Sequence, residues 1–86
     1  MPVLSKFYGI VIRMLCVRQL SARFHAIHGD MELVVQIAPL RIVGGQAPRD
    51  VCELVLDWAR EHQAELLEDW RRCCMAQKPM PIAPAP

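Results

Sequence analysis

The stretch RFHAIHGDMELVVQI, residues 23–37, decides the fold. Arg23–His28 is a short run of β-formers, Gly29-Asp30 supplies turn chemistry, and Met31–Ile37 resumes the β pattern. Two such runs joined by two turn residues predict an antiparallel hairpin. Alternate side chains of a strand point to opposite faces, so the hairpin has two distinct sides. Phe24, Ala26 and His28 oppose Arg23, His25 and Ile27, while Leu33, Val35 and Ile37 oppose Glu32, Val34 and Gln36.

Upstream, Phe7–Leu15 (FYGIVIRML) predicts a preceding strand, with Gly9 easing a bulge or a close approach. Here Ile10, Ile12 and Met14 oppose Val11, Arg13 and Leu15, and residues 17–22 form a connection without a clear pattern. Downstream, Pro39 ends the hairpin, and Arg41–Val43 predicts a short further strand before Gly44-Gly45. Pro48 then suits the first position of a helix, where its missing N–H costs nothing. Val51, Leu54, Val55, Trp58, Leu66 and Trp70 recur at helical spacing, and neither Gly nor Pro interrupts Arg49–Lys78. The expectation is α+β: a three- to four-stranded antiparallel sheet packed on one long C-terminal amphipathic helix, with a bend near His62 allowed. Residues 1–78 form the domain, and residues 79–86, with four prolines, form an extended tail.

Matching the two periodicities turns Ile10, Ile12, Phe24, Leu33 and Val35 toward the helix, against Val51, Leu54, Val55 and Trp58. Phe24, Trp58 and Trp70 read as core anchors, and His62 as a histidine at the core edge. The other sheet face collects Arg13, Arg23, His25, Glu32 and Gln36, together with Val11, Ile27 and Val34. That collection supports two uses. In one, Arg13 and Arg23 hold a phosphate while His25 transfers a proton, since imidazole titrates near neutral pH. In the other, the mixed polar and apolar surface, Val34 and Glu32 included, docks a protein partner.

Composition narrows the field. Eighty-six residues, 53% of them apolar, suit a single domain with one modest core. The net charge is only +1, whereas dedicated nucleic-acid binders are commonly far more basic. The charge is nonetheless uneven: residues 1–49 hold six Lys/Arg against two Asp/Glu, and residues 50–86 hold four against seven. No apolar run approaches the roughly 18 residues of a membrane span. Cys16, Cys52, Cys73 and Cys74 show no metal-ligand spacing, and no glycine-rich phosphate loop or catalytic triad signature is present. Met1–Val17 lacks the pattern of an export signal. Four free thiols in a reducing cytoplasm, with no metal and no cofactor, are therefore expected.

Several pieces taken in order resemble a small bacterial family catalogued as domain of unknown function 4160. They are MPVLSKFYGIVIRM at 1–14, FHAIHGD at 24–30, Pro48-Arg49, LVLDW at 54–58, His62, Glu65-Leu66, Trp70 and Ile82–Pro84. The resemblance implies the toxin component of a toxin–antitoxin pair. Its small antitoxin would be encoded alongside, in the family catalogued as domain of unknown function 2442. RNA or translation is the expected target if the chain is an enzyme, with homo-oligomerisation open; a non-catalytic binding module or an antitoxin-type regulator is the alternative. Family members usually read Asp/Glu-His-x-Pro-Pro-His-Phe-His-Ala through the second strand. Here Arg18-Gln19-Leu20-Ser21-Ala22-Arg23 precedes Phe24-His25-Ala26, so His25 alone remains of that histidine group.

Overall fold

The computed structural model describes residues 1–86. Five strands and two helices follow in chain order: β1 Val3–Phe7, β2 Ile10–Arg13, β3 Arg23–His28, β4 Met31–Gln36, β5 Arg41–Gln46, α1 Arg49–Glu61 and α2 Gln63–Cys74. The strands form one antiparallel meander in the order β1-β2-β3-β4-β5. The class is α+β, but two details of the sequence expectation need correction: the sheet has five strands, and the helix is divided.

The extra strand comes from a turn hidden in FYGIVIRML. Tyr8 and Gly9 both take positive φ, 50° and 75°, as the central pair of a tight two-residue hairpin turn requires. The expected first strand is therefore β2 and the end of β1, folded back with Phe7 opposite Ile10. At the other edge β5 continues through Gly44-Gly45, and the second of the two must be a glycine. Gly45 has φ of 77°, and a Cβ there would lie 1.9 Å from the Glu32 carbonyl oxygen.

The helix divides at His62. Arg49–Cys74 as one helix of 26 residues would run about 39 Å at 1.5 Å per residue. The longest dimension of the molecule is 33 Å. His62, at φ −114° and ψ 22°, ends α1 and begins α2, so that Val55 and Trp58 on one side and Leu66 on the other all reach the core. Gln63, at the break, donates from Nε2 to the Ile37 carbonyl at 2.7 Å, fixing the second helix to the end of β4.

Only one face of the sheet is covered. Ile10, Ile12, Phe24, Leu33 and Val35 are at most 1% exposed and form one cluster with Val51, Val55, Trp58, Ala59 and Leu66. Residues 79–86 are extended and lie against this core. Ile82 is buried and donates its N–H to the Leu4 carbonyl at 2.8 Å, the Trp58 indole donates to the Ala83 carbonyl at 2.8 Å, and the Tyr8 hydroxyl donates to the Pro86 carbonyl. The segment acts as a strap along the free side of β1.

Under the strap lies a buried carboxylate. Asp69 is 1% exposed; its Oδ1 accepts the Met80 N–H at 2.8 Å, and its Oδ2 has no partner. Burial raises its pKa, against smaller opposing effects from Met80 and Arg72. Cys73, one turn later on α2, is held protonated for the same reason, with the Asp69 charge adding to the effect.

The cysteines require a further correction. Cys16 and Cys74 form a disulfide with Cα atoms 5.5 Å apart, which leaves Cys52 and Cys73 as the free thiols. Linear spacing does not register this pair, because 58 residues separate its members and only the completed fold brings the β2–β3 loop to the end of α2. Chain-entropy arithmetic for so long a loop gives about 4 kcal/mol of stabilisation.

Two expectations follow. Denatured, unreduced protein titrates two thiols and reduced protein four, and reduction lowers the melting midpoint; four thiols without reductant would exclude the bond. The second concerns Asp69. Its raised folded pKa means that the stability it confers is complete below the unfolded aspartate value of about 3.9 and is lost as pH rises through the folded value. Asp69→Asn therefore melts higher than wild type at pH 7, and the gap closes as pH falls toward 4. Each kcal/mol moves the midpoint about 4–8 °C in a chain of this size. A pH-independent gap would show that burial of charge is not the cause.

Candidate functional site on the open sheet face

The face turned away from the helices is a grid set by strand register. One row runs Lys6, Val11, Ile27, Glu32, Gln46 across β1 to β5. The next runs Val3, Arg13, His25, Val34, Gly44, and a short third row holds Arg23, Gln36 and Arg41. All the polar residues singled out from the sequence, Arg13, Arg23, His25, Glu32 and Gln36, thus share this face with Val34. Lys6 and Arg41 join them; neither is legible as part of the patch until β1 and the register of β5 are known.

His25 Nδ1 lies 2.7 Å from Glu32 Oε2. Glu32 sits one diagonal step from His25, whose direct partner on β4 is Val34. A carboxylate only accepts, so Nδ1 carries the proton and the carboxylate fixes the ring. The histidine side chain is 19% exposed, and the glutamate 49%. Such a pair orients an imidazole, but proton transfer also requires a substrate held beside it.

The arginines do not converge on that ring. Arg13 donates from Nη1 to the Met1 carbonyl at 3.2 Å. Arg23 donates from Nε to the Ser21 carbonyl at 3.1 Å and from Nη2 to Ser21 Oγ at 3.0 Å. Ser21 in turn donates to Gln36 Oε1, and Gln36 Nε2 donates to the Pro39 carbonyl at 2.9 Å. The guanidinium groups are thus fixed by the chain's own backbone, each with donors to spare. None of the molecule's five cavities is lined by Arg13, Arg23, His25, Glu32 or Val34; the cavities lie along the helices, the strap and the hairpin ends. The face is a surface rather than a pocket.

The remaining residues fall elsewhere. Phe24 and Trp58 are buried and meet edge to face with ring centroids 5.9 Å apart. His62 lies against Trp58 with the rings tilted and their centroids 5.4 Å apart and pairs through Nδ1 with Glu65 at 2.7 Å, while Trp70 is half-buried against the core. His28 ends β3 on the helix side, beside Tyr8 and Pro48. No cluster of His, Cys, Asp or Glu has the arrangement of a metal site. No helix is long and apolar enough to cross a membrane.

No curated protein and no solved structure matches the chain. A family profile described as Domain of unknown function (DUF4160) matches residues 9–71, from the β1–β2 turn through most of α2. That span includes β2, β3 and β4, the three strands that carry the centre of the open face, and both helix segments behind them. The chain belongs to the DUF4160 family.

Proposed function

We propose that this chain is a protein-docking component of a two-protein unit, which seats its partner on the open sheet face. The observation that carries the proposal is the central patch of Val11, Ile27 and Val34. These half-buried aliphatic side chains lie on the uncovered side of a one-layered sheet, ringed by charged groups. A solvated sheet face ordinarily alternates to polar residues, and an apolar centre with a polar rim is the anatomy of an interface. The toxin–antitoxin arrangement that the family resemblance implies fits this reading. The chain would be the toxin-type member, neutralised by a small protein encoded alongside it.

A second reading, ribonuclease-like chemistry, is favoured by the oriented His25–Glu32 pair. Against it stand the flat surface and two arginines turned to their own backbone rather than to a shared phosphate position.

The two readings separate on induction of growth inhibition, measured beside capture of the neighbouring gene's product. Val34→Asp places an unpaired charge in the apolar centre and should weaken capture by about 2 kcal/mol or more, roughly thirtyfold. His25→Ala should change capture and growth inhibition by less than about tenfold. Loss of growth inhibition in His25→Ala by about 10²–10⁴-fold, with folding and capture intact, would establish the catalytic reading instead.

A further inference from the structure

The charge of this molecule is segregated by layer. The open sheet face presents Lys6, Arg13, Arg23 and Arg41 against a single acid, Glu32. That acid is engaged by His25 at 2.7 Å and does not reach any of the four cations in a salt bridge. The helical layer is net acidic: α1 and α2 carry Asp50, Glu53, Asp57, Glu61, Glu65, Glu68 and Asp69 against Arg49, Arg60, Arg71 and Arg72, which pair with Glu53, Asp57 and Glu68. On the sheet side the cations bracket the apolar centre. Lys6 lies beside Val11, Arg13 beside His25 and diagonal to Ile27, and Arg23 and Arg41 flank Gln36 at the far end.

We propose that the occupant of this face is an acidic, amphipathic protein segment, with carboxylates spaced around aliphatic residues that cover Val11, Ile27 and Val34. The proposal rests on the docking reading and names the chemistry of the partner. The arginines retain donors that a carboxylate can accept from. Arg13 spends one donor on Met1, and Arg23 spends two on Ser21, so each is held in place while further N–H groups remain for a planar bidentate acceptor.

Two other occupants satisfy the charge but not the rest of the surface. RNA would meet the cations through phosphate, but single strands gain most from stacking bases on aromatic side chains. The one aromatic ring on this face is the His25 imidazole, already engaged by Glu32 at 2.7 Å; Phe7, Phe24 and Trp58 are in the core, Trp70 is on α2, and Tyr8 is at the β1–β2 turn, bonded to Pro86. A second copy could offer its acidic helices to the basic sheet. That contact joins unlike surfaces, so it repeats from copy to copy into an open filament unless a ring closes. A separate acidic partner satisfies charge and apolar surface together and terminates.

The test uses the native full chain and a library of random 16-residue peptides displayed on phage, selected on the wild type and depleted on Val34→Asp. Recovered sequences should be enriched in Asp and Glu alternating with aliphatic residues. The consensus peptide, synthesised and labelled, should bind about tenfold more weakly to Arg41→Glu and about tenfold more weakly on raising salt from 50 to 300 mM. Arg41 is an exposed edge residue, so that variant should keep the wild-type melt. Val34-dependent peptides that are neutral or basic would overturn the acidic partner while leaving the docking reading intact. Recovery of no Val34-dependent peptide at all would overturn both. Tighter binding of a 12-nucleotide RNA, lost in Arg13→Gln and Arg23→Gln, would assign the face to RNA. Concentration-dependent sedimentation of the chain alone, abolished by Arg41→Glu, would assign it to a second copy.

Discussion

The interaction on which the rest of this structure depends is the burial of Trp58. Its ring packs against Phe7 of β1 with centroids 5.1 Å apart, against Phe24 of β3 at 5.9 Å, and against His62 at the helix break at 5.4 Å. Its indole N–H reaches out to the Ala83 carbonyl of the strap. One side chain thus joins a sheet edge, the sheet centre, the junction of α1 with α2, and the C-terminal segment. In a chain of 86 residues the stability margin is small, so an anchor that touches four elements outweighs most others. Phe7, Phe24 and Trp58 all lie in this layer, and the opposite sheet face is left with aliphatic, charged and amide side chains and the His25 imidazole. The character of the candidate site follows from where Trp58 sits.

How much of this is legible in the sequence depends on whether the signal is local. The β3–β4 hairpin is, because alternation and Gly29-Asp30 lie within one short stretch. The β1–β2 hairpin is not, because its turn uses Tyr8 at positive φ, a residue that carries no turn signal of its own, and its second strand continues the same run of β-formers. The helical face of Val51, Val55, Trp58 and Leu66 is legible from its period, and the bend allowed near His62 is realised there as the break between α1 and α2. Cys16 and Cys74, and Asp69 with the Met80 N–H, are distant or unpatterned in sequence and meet only after folding. The reduced-cytoplasm argument loses two of its four thiols by that meeting.

The candidate site shows the same division. Arg13, Arg23, His25, Glu32 and Val34 fall on one face from strand parity alone, because parity is insensitive to which strands neighbour which. Their mutual geometry is not legible that way. Parity brings two arginines and a histidine together as a phosphate site, whereas the hydrogen bonds send the arginines to Met1 and Ser21 and give His25 to Glu32. Missing from the parity argument are Lys6 and Arg41, which turn a small polar group into a basic rim around an apolar centre.

Footprinting by carbene or hydroxyl-radical labelling, on the chain alone and with its neighbouring gene's product, tests the central claim most directly because it reports on side chains and so distinguishes the two faces of one sheet. Labelling of Val11, Ile27, Val34 and the adjoining Lys6 should fall in the complex, while Leu54, Leu67 and Trp70 on the helical side label as before. Protection of the helical side chains with Val11, Ile27 and Val34 unchanged would contradict it.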